Sequence, residues 1–325
     1  MKIGINGFGR IGKCVLRTAV HSFAQVTEVQ INSSAKIEQL VHALKYDSTH
    51  GRFLHKVDIN DPNTFTINNT LKCTVTNYRH NIKWQQVDVL IDCTGTVTDL
   101  ANASVHLKNG AHKVLLANPV KQESNIETFV QGANANLYNG QDVISIGSCT
   151  TNCLAPVVSL LQQHFTIKNI TATSIHAYTN SQNILDSKHK DFRRARSCTD
   201  SIIPTSTGAA NVMGYLFPNL TNKFQLSCLR VPVANVSVLD CAITLQQNIN
   251  ASQVNQIMQN NQNNILGTSE EPLVSVDYIG DSRSAIVDTL ETKAHENILR
   301  VLCWYDNEMG FAHRVLETAL QIYHF

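Results

Sequence analysis

Two groups of residues in this chain have the types and spacing to do chemistry. Ser148-Cys149-Thr150-Thr151-Asn152-Cys153 runs into an apolar helical pattern at Leu154, Val157, Val158, Leu161 and Phe165, which places Cys149 at a helix N-terminus. Free N–H groups and the positive dipole end favour a thiolate there, so Cys149 reads as a nucleophile with a lowered pKa. Cys153 falls a turn later on the apolar face and reads as a packed, inert thiol. A single Cys-x3-Cys pair without a second cluster is no zinc pattern, and no metal is expected. Pro156 lies inside the helical pattern and should kink it. A thiol nucleophile calls for a general base. His176 closes the apolar run 170–175 and opens a long polar stretch, a strand end of the kind where catalytic side chains gather. Spacing alone leaves a structural histidine as the alternative.

The second group is Gly7-Phe8-Gly9-Arg10-Ile11-Gly12, a G-x-G-x-x-G string between the strand-like Lys2–Asn6 and a helical pattern at Ile11, Val15 and Ala19. Gly7 permits the tight turn, Gly9 lets a diphosphate approach the backbone, and Gly12 lets helix and strand pack closely. The pattern predicts a dinucleotide site at the helix N-terminus. The fingerprint also asks for an acid about 20 residues on, at the end of the second strand, to hold a ribose 2′-hydroxyl. Here that strand ends Ile31-Asn32-Ser33-Ser34; Glu28 lies too early and Glu38 falls in the next helix. An acid would repel a 2′-phosphate, whereas serine hydroxyls donate to one. The absence tilts toward NADP, with a weak NAD site as the other reading.

The elements that must position these groups follow from the same patterns. Apolar runs at Val87–Cys93, Val114–Ala117 and Val143–Ile146 suit buried parallel strands. Alternating with helices, they predict an α/β, Rossmann-type doubly wound sheet over residues 1–148. Longer strand-like runs (Ile170–His176, Phe224–Val231, Asn235–Leu245, Arg300–Trp304) predict an α+β catalytic domain with a mixed or antiparallel sheet over 149–309. An amphipathic helix over 310–325 is expected to pack back onto the first domain. With 325 residues, 26 Lys plus Arg and 25 Asp plus Glu, the chain is large enough for two cores and near neutral. That balance argues against a nucleic-acid or anionic-membrane surface. No apolar run approaches the roughly 20 residues of a membrane span, and no secretory leader is expected. Nine scattered cysteines read as reduced thiols of a cytoplasmic protein.

The Ser148–Pro156 string resembles the active-site signature of the phosphorylating glyceraldehyde-3-phosphate dehydrogenases, in their bacterial form. The resemblance extends through Asn6–Gly12, Lys45–Gly51, His176–Asn180, Ser206–Ala210, Arg230–Pro232, Asn235–Val238 and Trp304–Glu308, in order along the chain. It implies that Cys149 adds to the aldehyde of glyceraldehyde 3-phosphate and that His176 handles the protons. It implies further that inorganic phosphate cleaves the resulting thioester. Thr179, Ser181 and Arg230 would hold the substrate phosphate; Ser148, Thr150, Thr207, Gly208 and Arg194 would hold the attacking one. Cofactor contacts would come from Gly7, Phe8, Gly9, Arg10, Ile11, Thr94, Gly95 and Asn307, the last on the nicotinamide carboxamide. The polar loop from about 177 to 203 would reach a neighbouring subunit in a homotetramer, and its basic residues would serve phosphate sites and subunit contacts rather than nucleic acid.

Several positions depart from the family pattern. NAD-specific relatives carry Asp where Ser33 stands, and many bacterial ones carry Leu-Pro where this chain has Ser187-Lys188. With Ser34 and Arg79, these positions gather hydroxyls and a cation without an acid, so NADP use, alone or with NAD, is expected. Ala117-Asn118-Pro119 replaces the usual Ser-Ala-Pro, and Ser181 replaces a common Asp. The alternatives are erythrose-4-phosphate dehydrogenase, disfavoured because Thr179 and residues 205–210 are kept, and a secondary binding or adhesion role.

Overall fold

A computed structural model describes residues 1–325, apart from the Gln122 side chain. The chain forms two units: Met1–Phe129 with Asn134–Ser148 and Phe311–Phe325, and Val130–Ala133 with Cys149–Gly310.

In the first unit the chain runs β1 (Lys2–Asn6), α1 (Arg10–Ser22), β2 (Glu28–Asn32), α2 (Ile37–Lys45), β3 (Tyr46–Asp47), β4 (Gly51–Arg52), β5 (Val57–Asp61), β6 (Thr64–Ile67) and β7 (Leu71–Thr76). It continues through β8 (Val87–Asp92), α3 (Leu100–Lys108), β9 (Ala111–Leu116), β10 (Glu127–Thr128) and β11 (Val143–Ser145). Nine strands make one sheet in the order β10-β11-β9-β8-β1-β2-β7-β6-β5. From β10 to β7 every pair is parallel; β6 and β5 add antiparallel at one edge. Ile3, Ile5, Val29, Ile31, Leu90, Ile91 and Leu115 are buried, which explains runs with no polar face. The chain winds outward both ways from β1, so the order reverses between β1 and β8. Doubly wound sheets hold ligands at such a switch point.

A polar seam crosses the carboxyl ends of these strands. Asp92, fully buried, accepts from Asn6 Nδ2 at 2.7 Å and from Thr94 Oγ1 at 2.7 Å, and Asn6 Oδ1 accepts from Asn32 Nδ2 at 3.1 Å. The seam ties the ends of β8, β1 and β2 together through buried, mutually satisfied polar side chains. The short edge strands β5 and β6 carry no long apolar run, and the sequence pattern does not reveal them.

The second unit contains α4 (Cys149–His164), β12 (Ile167–Ala177), β13 (Ile203–Thr205), α5 (Ala209–Leu216), β14 (Phe224–Val231), β15 (Ser237–Leu245), α6 (Ala251–Asn260), β16 (Leu266–Ser269), β17 (Ala285–His295) and β18 (Ile298–Tyr305). Its seven strands are ordered β13-β14-β12-β15-β18-β17-β16. The β12–β14 and β16–β17 pairs are parallel and the others antiparallel, so this sheet is mixed as its sequence predicts. Helix α4 runs through Pro156 as a single element, its Leu154, Val157, Val158 and Leu161 in the core with Ile170, Leu239, Cys241 and Val301. The strand expected from Asn235 begins only at Ser237, because Val236 has φ +66° and turns the chain out of the extended region.

The last helix, α7 (Met309–Tyr323), belongs from Phe311 on to the first unit. Its Gln321 Nε2 donates to Ala135 O at 2.6 Å, His313 lies against Phe23, and Phe325 meets the Tyr138 ring edge-on at 5.0 Å.

Candidate active site

Strand pairing builds the reactive centre of the second unit. The parallel register of β12 and β14 places His176 beside Arg230 and Ser174 beside Cys228. Helix α4 starts at Cys149, whose Sγ lies 3.4 Å from His176 Nε2. His176 Nδ1 lies 2.7 Å from Ala177 O. A carbonyl oxygen can only accept and the Arg230 guanidinium, with Nη1 2.5 Å from the same Nδ1, can only donate, so these two contacts call for opposite tautomers of His176. The Arg230 guanidinium abuts the same ring and donates through Nη1 to Ala177 O at 3.0 Å. It therefore acts on His176 as a neighbouring positive charge.

Burial decides the protonation states. His176 is only 4% exposed. Desolvation and the Arg230 charge push it down to about 3, although the bond to Ala177 O pulls the other way. Desolvation pushes Cys149 up to about 11, against Arg230 and hydrogen bonds from Thr150. The helix N-terminus thus does not dominate, contrary to the sequence expectation. The resting pair is a thiol hydrogen-bonded to a neutral imidazole, ready to transfer its proton as the sulfur attacks.

A buried hydroxyl cluster supports this pair and escaped the sequence reading. Tyr305 stands edge-on to the His176 ring at 6.0 Å, and its hydroxyl contacts Thr150 Oγ1 at 3.1 Å and Ser174 Oγ at 2.9 Å. Ser237 Oγ accepts from Ala177 N at 3.1 Å and donates to Asn307 Oδ1 at 2.8 Å. The signal that could have found Ser174 and Ser237 was a lone serine inside an apolar strand, because a buried hydroxyl needs named partners. Cys228 is also buried beside this centre, its thiol raised by burial and opposed by Arg230 and Arg194.

The other expected anion ligands form two further groups. Thr179 and Ser181 lie 3.0 Å apart through their hydroxyls, and Thr179 donates to Gln182 Oε1 through both N and Oγ1. Arg194 donates to Thr205 Oγ1 from Nε at 2.8 Å and again from Nη2. Thr207 Oγ1 accepts from Ala209 N, and Gly208 caps α5 with no atom within 4 Å of a would-be Cβ. Ser148 ends the first unit's segment immediately before Cys149. In the loop between β12 and β13, Ser187 N donates to Ala195 O, while Ser187 and Lys188 are exposed.

In the first unit the glycine turn fits a dinucleotide diphosphate. Gly7 has φ +90°, Gly9 has no atom within 4 Å of a would-be Cβ, and a Cβ on Gly12 would meet Gly7 O at 2.2 Å. No side chain caps α1, so its first N–H groups face the open side of Gly9, flanked in sequence by Phe8 and Ile11. Arg10 also has a partner within the protein. It pairs with the buried Asp47 carboxylate at 2.5 Å, which Lys13 also meets at 2.6 Å. Thr94 packs against Gly7 across the β1–β8 switch, and Gly95 has φ +69°. At the end of β2, Ser33 Oγ accepts from Ala35 N, while Ser34 and Arg79 are exposed. Asn32 is spent on Asn6, Thr76 and Tyr78. Asn118 is buried and donates to Val97 O at 3.1 Å, so this departure staples a loop.

A doubly wound dinucleotide-type unit joined to a mixed-sheet unit with a Cys–His pair defines a two-domain class of protein. Within that class the chain belongs to the glyceraldehyde-3-phosphate dehydrogenase family. Residues 1–100 match the profile described as "Glyceraldehyde 3-phosphate dehydrogenase, NAD binding domain", and residues 148–307 match its C-terminal domain. The chain is 40% identical over 331 residues to glyceraldehyde-3-phosphate dehydrogenase 1 of Bacillus subtilis, covering 99% of this chain and 98% of that protein. It is equally similar, with the same coverage, to glyceraldehyde-3-phosphate dehydrogenase of Geobacillus stearothermophilus. To glyceraldehyde-3-phosphate dehydrogenase 2 of Staphylococcus aureus it is 40% identical over 326 residues, covering 98% and 95%.

Proposed function

We propose that this chain is a phosphorylating glyceraldehyde-3-phosphate dehydrogenase. The observation that carries the reading is the Cys149 Sγ–His176 Nε2 contact of 3.4 Å. The Cys149 thiol passes its proton to Nε2 as sulfur bonds to the aldehyde carbon, and Nε2 returns that proton to the new alkoxide oxygen to give a hydroxyl. His176 Nε2 then accepts the hydroxyl proton while the carbon is oxidised to a thioester. A bound nicotinamide supplies the hydride acceptor for that oxidation. Inorganic phosphate attacks the thioester, and the Cys149 sulfur leaves to give an acyl phosphate.

Arg230, Thr179 and Ser181 hold the substrate phosphate in this scheme, while Ser148, Thr150, Thr207, Gly208 and Arg194 hold the attacking phosphate. Two separate anion sites fix the substrate and deliver the second nucleophile. Gly7, Phe8, Gly9, Arg10 and Ile11, with Thr94 and Gly95, would hold the cofactor's diphosphate end, and Asn307 would donate to a carboxamide. Cys149→Ser should abolish aldehyde oxidation, at least 1,000-fold on the order of magnitude set by losing a nucleophile, with cofactor binding retained. Turnover that continues without inorganic phosphate would overturn the phosphorylating assignment.

NADP is used alone or beside NAD. The support is the serine pair Ser33-Ser34 without a carboxylate, the exposed Arg79 cation and the exposed Ser187-Lys188. Ser33→Asp should raise the KM for NADP about tenfold or more through charge repulsion. A kcat/KM preference for NAD above about tenfold in the native protein would refute this reading. Exposed Ile184, Leu185, Phe192 and Ile202 in one polar loop support assembly as a homotetramer. Nine free thiols support a reducing, cytoplasmic setting. Among the described residues no helix is long and apolar enough to cross a membrane.

A further inference from the structure

We propose that Ser237 is a positioning residue that fixes which end of the Asn307 amide faces the nicotinamide. This rests on the reading of Asn307 as the carboxamide ligand. The argument is one of hydrogen-bond direction. A backbone N–H can only donate, so the 3.1 Å contact from Ala177 N makes Ser237 Oγ an acceptor there. The hydroxyl has one proton left to give, and its other partner is Asn307 at 2.8 Å. A second lone pair could accept too, but a buried hydroxyl proton needs an acceptor, and the one Asn307 offers is its amide oxygen. Asn307 Nδ2, with no partner among the described residues, is the end left to a ligand, and it can only donate. The amide of Asn307 thus selects an acceptor, such as a carboxamide oxygen, and rejects a donor in the same place.

Ala177 serves both parts of the site. Its N–H sets Ser237 and through it Asn307, while its C=O lies 2.7 Å from His176 Nδ1. Ser237 is 1% exposed, so no water can substitute for its hydroxyl without rearrangement. Val236, immediately before it, is a buried β-branched residue at φ +66°. That conformation is disfavoured for any β-branched side chain and persists only where the surroundings impose it. It turns the chain so that β15 begins with the Ser237 hydroxyl directed at both partners.

The test compares two ligands by calorimetry: NAD+ and ADP-ribose, which lacks the nicotinamide (NADP+ and 2′-phospho-ADP-ribose if these bind tighter). Ser237→Ala should weaken the dinucleotide about five- to tenfold, the worth of one buried hydrogen bond, and leave ADP-ribose unchanged. Ser237→Thr, which keeps the hydroxyl, should restore most of the loss. In the Ser237→Ala/Asn307→Ala double variant the two losses should not add. If Ser237→Ala does not fold, Ser237→Cys, with its weaker acceptor and donor, enters the same comparison. Equal weakening of both ligands, or of neither, overturns the proposal. An Asn307→Ala variant with unaltered dinucleotide affinity overturns the carboxamide reading itself, and the proposal with it.

Discussion

Arg230 illustrates how one charge lowers the proton affinity of two partners at once. Its guanidinium disfavours a proton on His176 and favours the loss of one from Cys149. In Arg230→Gln both groups should hold their protons to higher pH. Alkylation of Cys149 by iodoacetamide in the cofactor-free protein should then shift its midpoint upward and slow several-fold near neutral pH. An unmoved midpoint would remove Arg230 from the electrostatics of the pair. Cys149 and His176 were legible in the sequence because a thiol at a helix start and a histidine at a strand end are local patterns. The balance between helix dipole and burial was not legible, since it depends on how deeply the fold encloses both groups. The same holds for Thr150, Ser174 and Tyr305: they are far apart along the chain and meet at the Tyr305 hydroxyl only through the fold.

At the level of elements, the start of α1 is fixed by a carboxylate from the β3 region. Burial would raise the Asp47 carboxyl, but Lys13, Arg10 and the N–H groups of His50 and Thr49 outweigh it and hold it well below the usual carboxylate range. Its folded pKa therefore lies under the unfolded value near 4. The stabilisation it gives is complete above about pH 5 and is lost as the pH falls toward the folded value. Asp47→Asn should cost about 1–2 kcal/mol at neutral pH, less than a fully buried pair, because Arg10 can rehydrate. It should also flatten the acid limb of the Tm–pH curve; parallel curves for the two proteins would refute the role. The sequence revealed β1, α1 and the central parallel strands through continuous apolar runs and glycine spacing. It did not reveal β5 and β6, which are short and half-exposed, or the break at Val236, which obeys a tertiary demand rather than a residue preference.

For the molecule as a whole, the first unit is assembled from pieces far apart in the chain. Phe311, Ala312, Val315, Leu316, Ala319 and Ile322 of α7 are all buried. At roughly 1.5–3 kcal/mol for each large apolar side chain, their loss would match the 5–15 kcal/mol that holds a typical domain together. A chain stopped after Gly310 should thus fail to bind the dinucleotide and should be cut by protease within residues 1–148. Native-like resistance there would show that the unit stands without the helix. The amphipathic pattern of α7 was plain in the sequence, as was the expectation that it returns to the first domain, but the individual partners Ala135, Phe23 and Tyr138 come only from the tertiary arrangement. The arrangement also has a consequence for biosynthesis. Residues 1–148 leave the ribosome first, yet the helix that covers their core is translated only after the whole second unit. The nascent first unit must therefore wait with an apolar face uncovered, at about 5–20 residues per second, for some ten to thirty seconds. Over that interval it is the part of the polypeptide most in need of a chaperone's shelter.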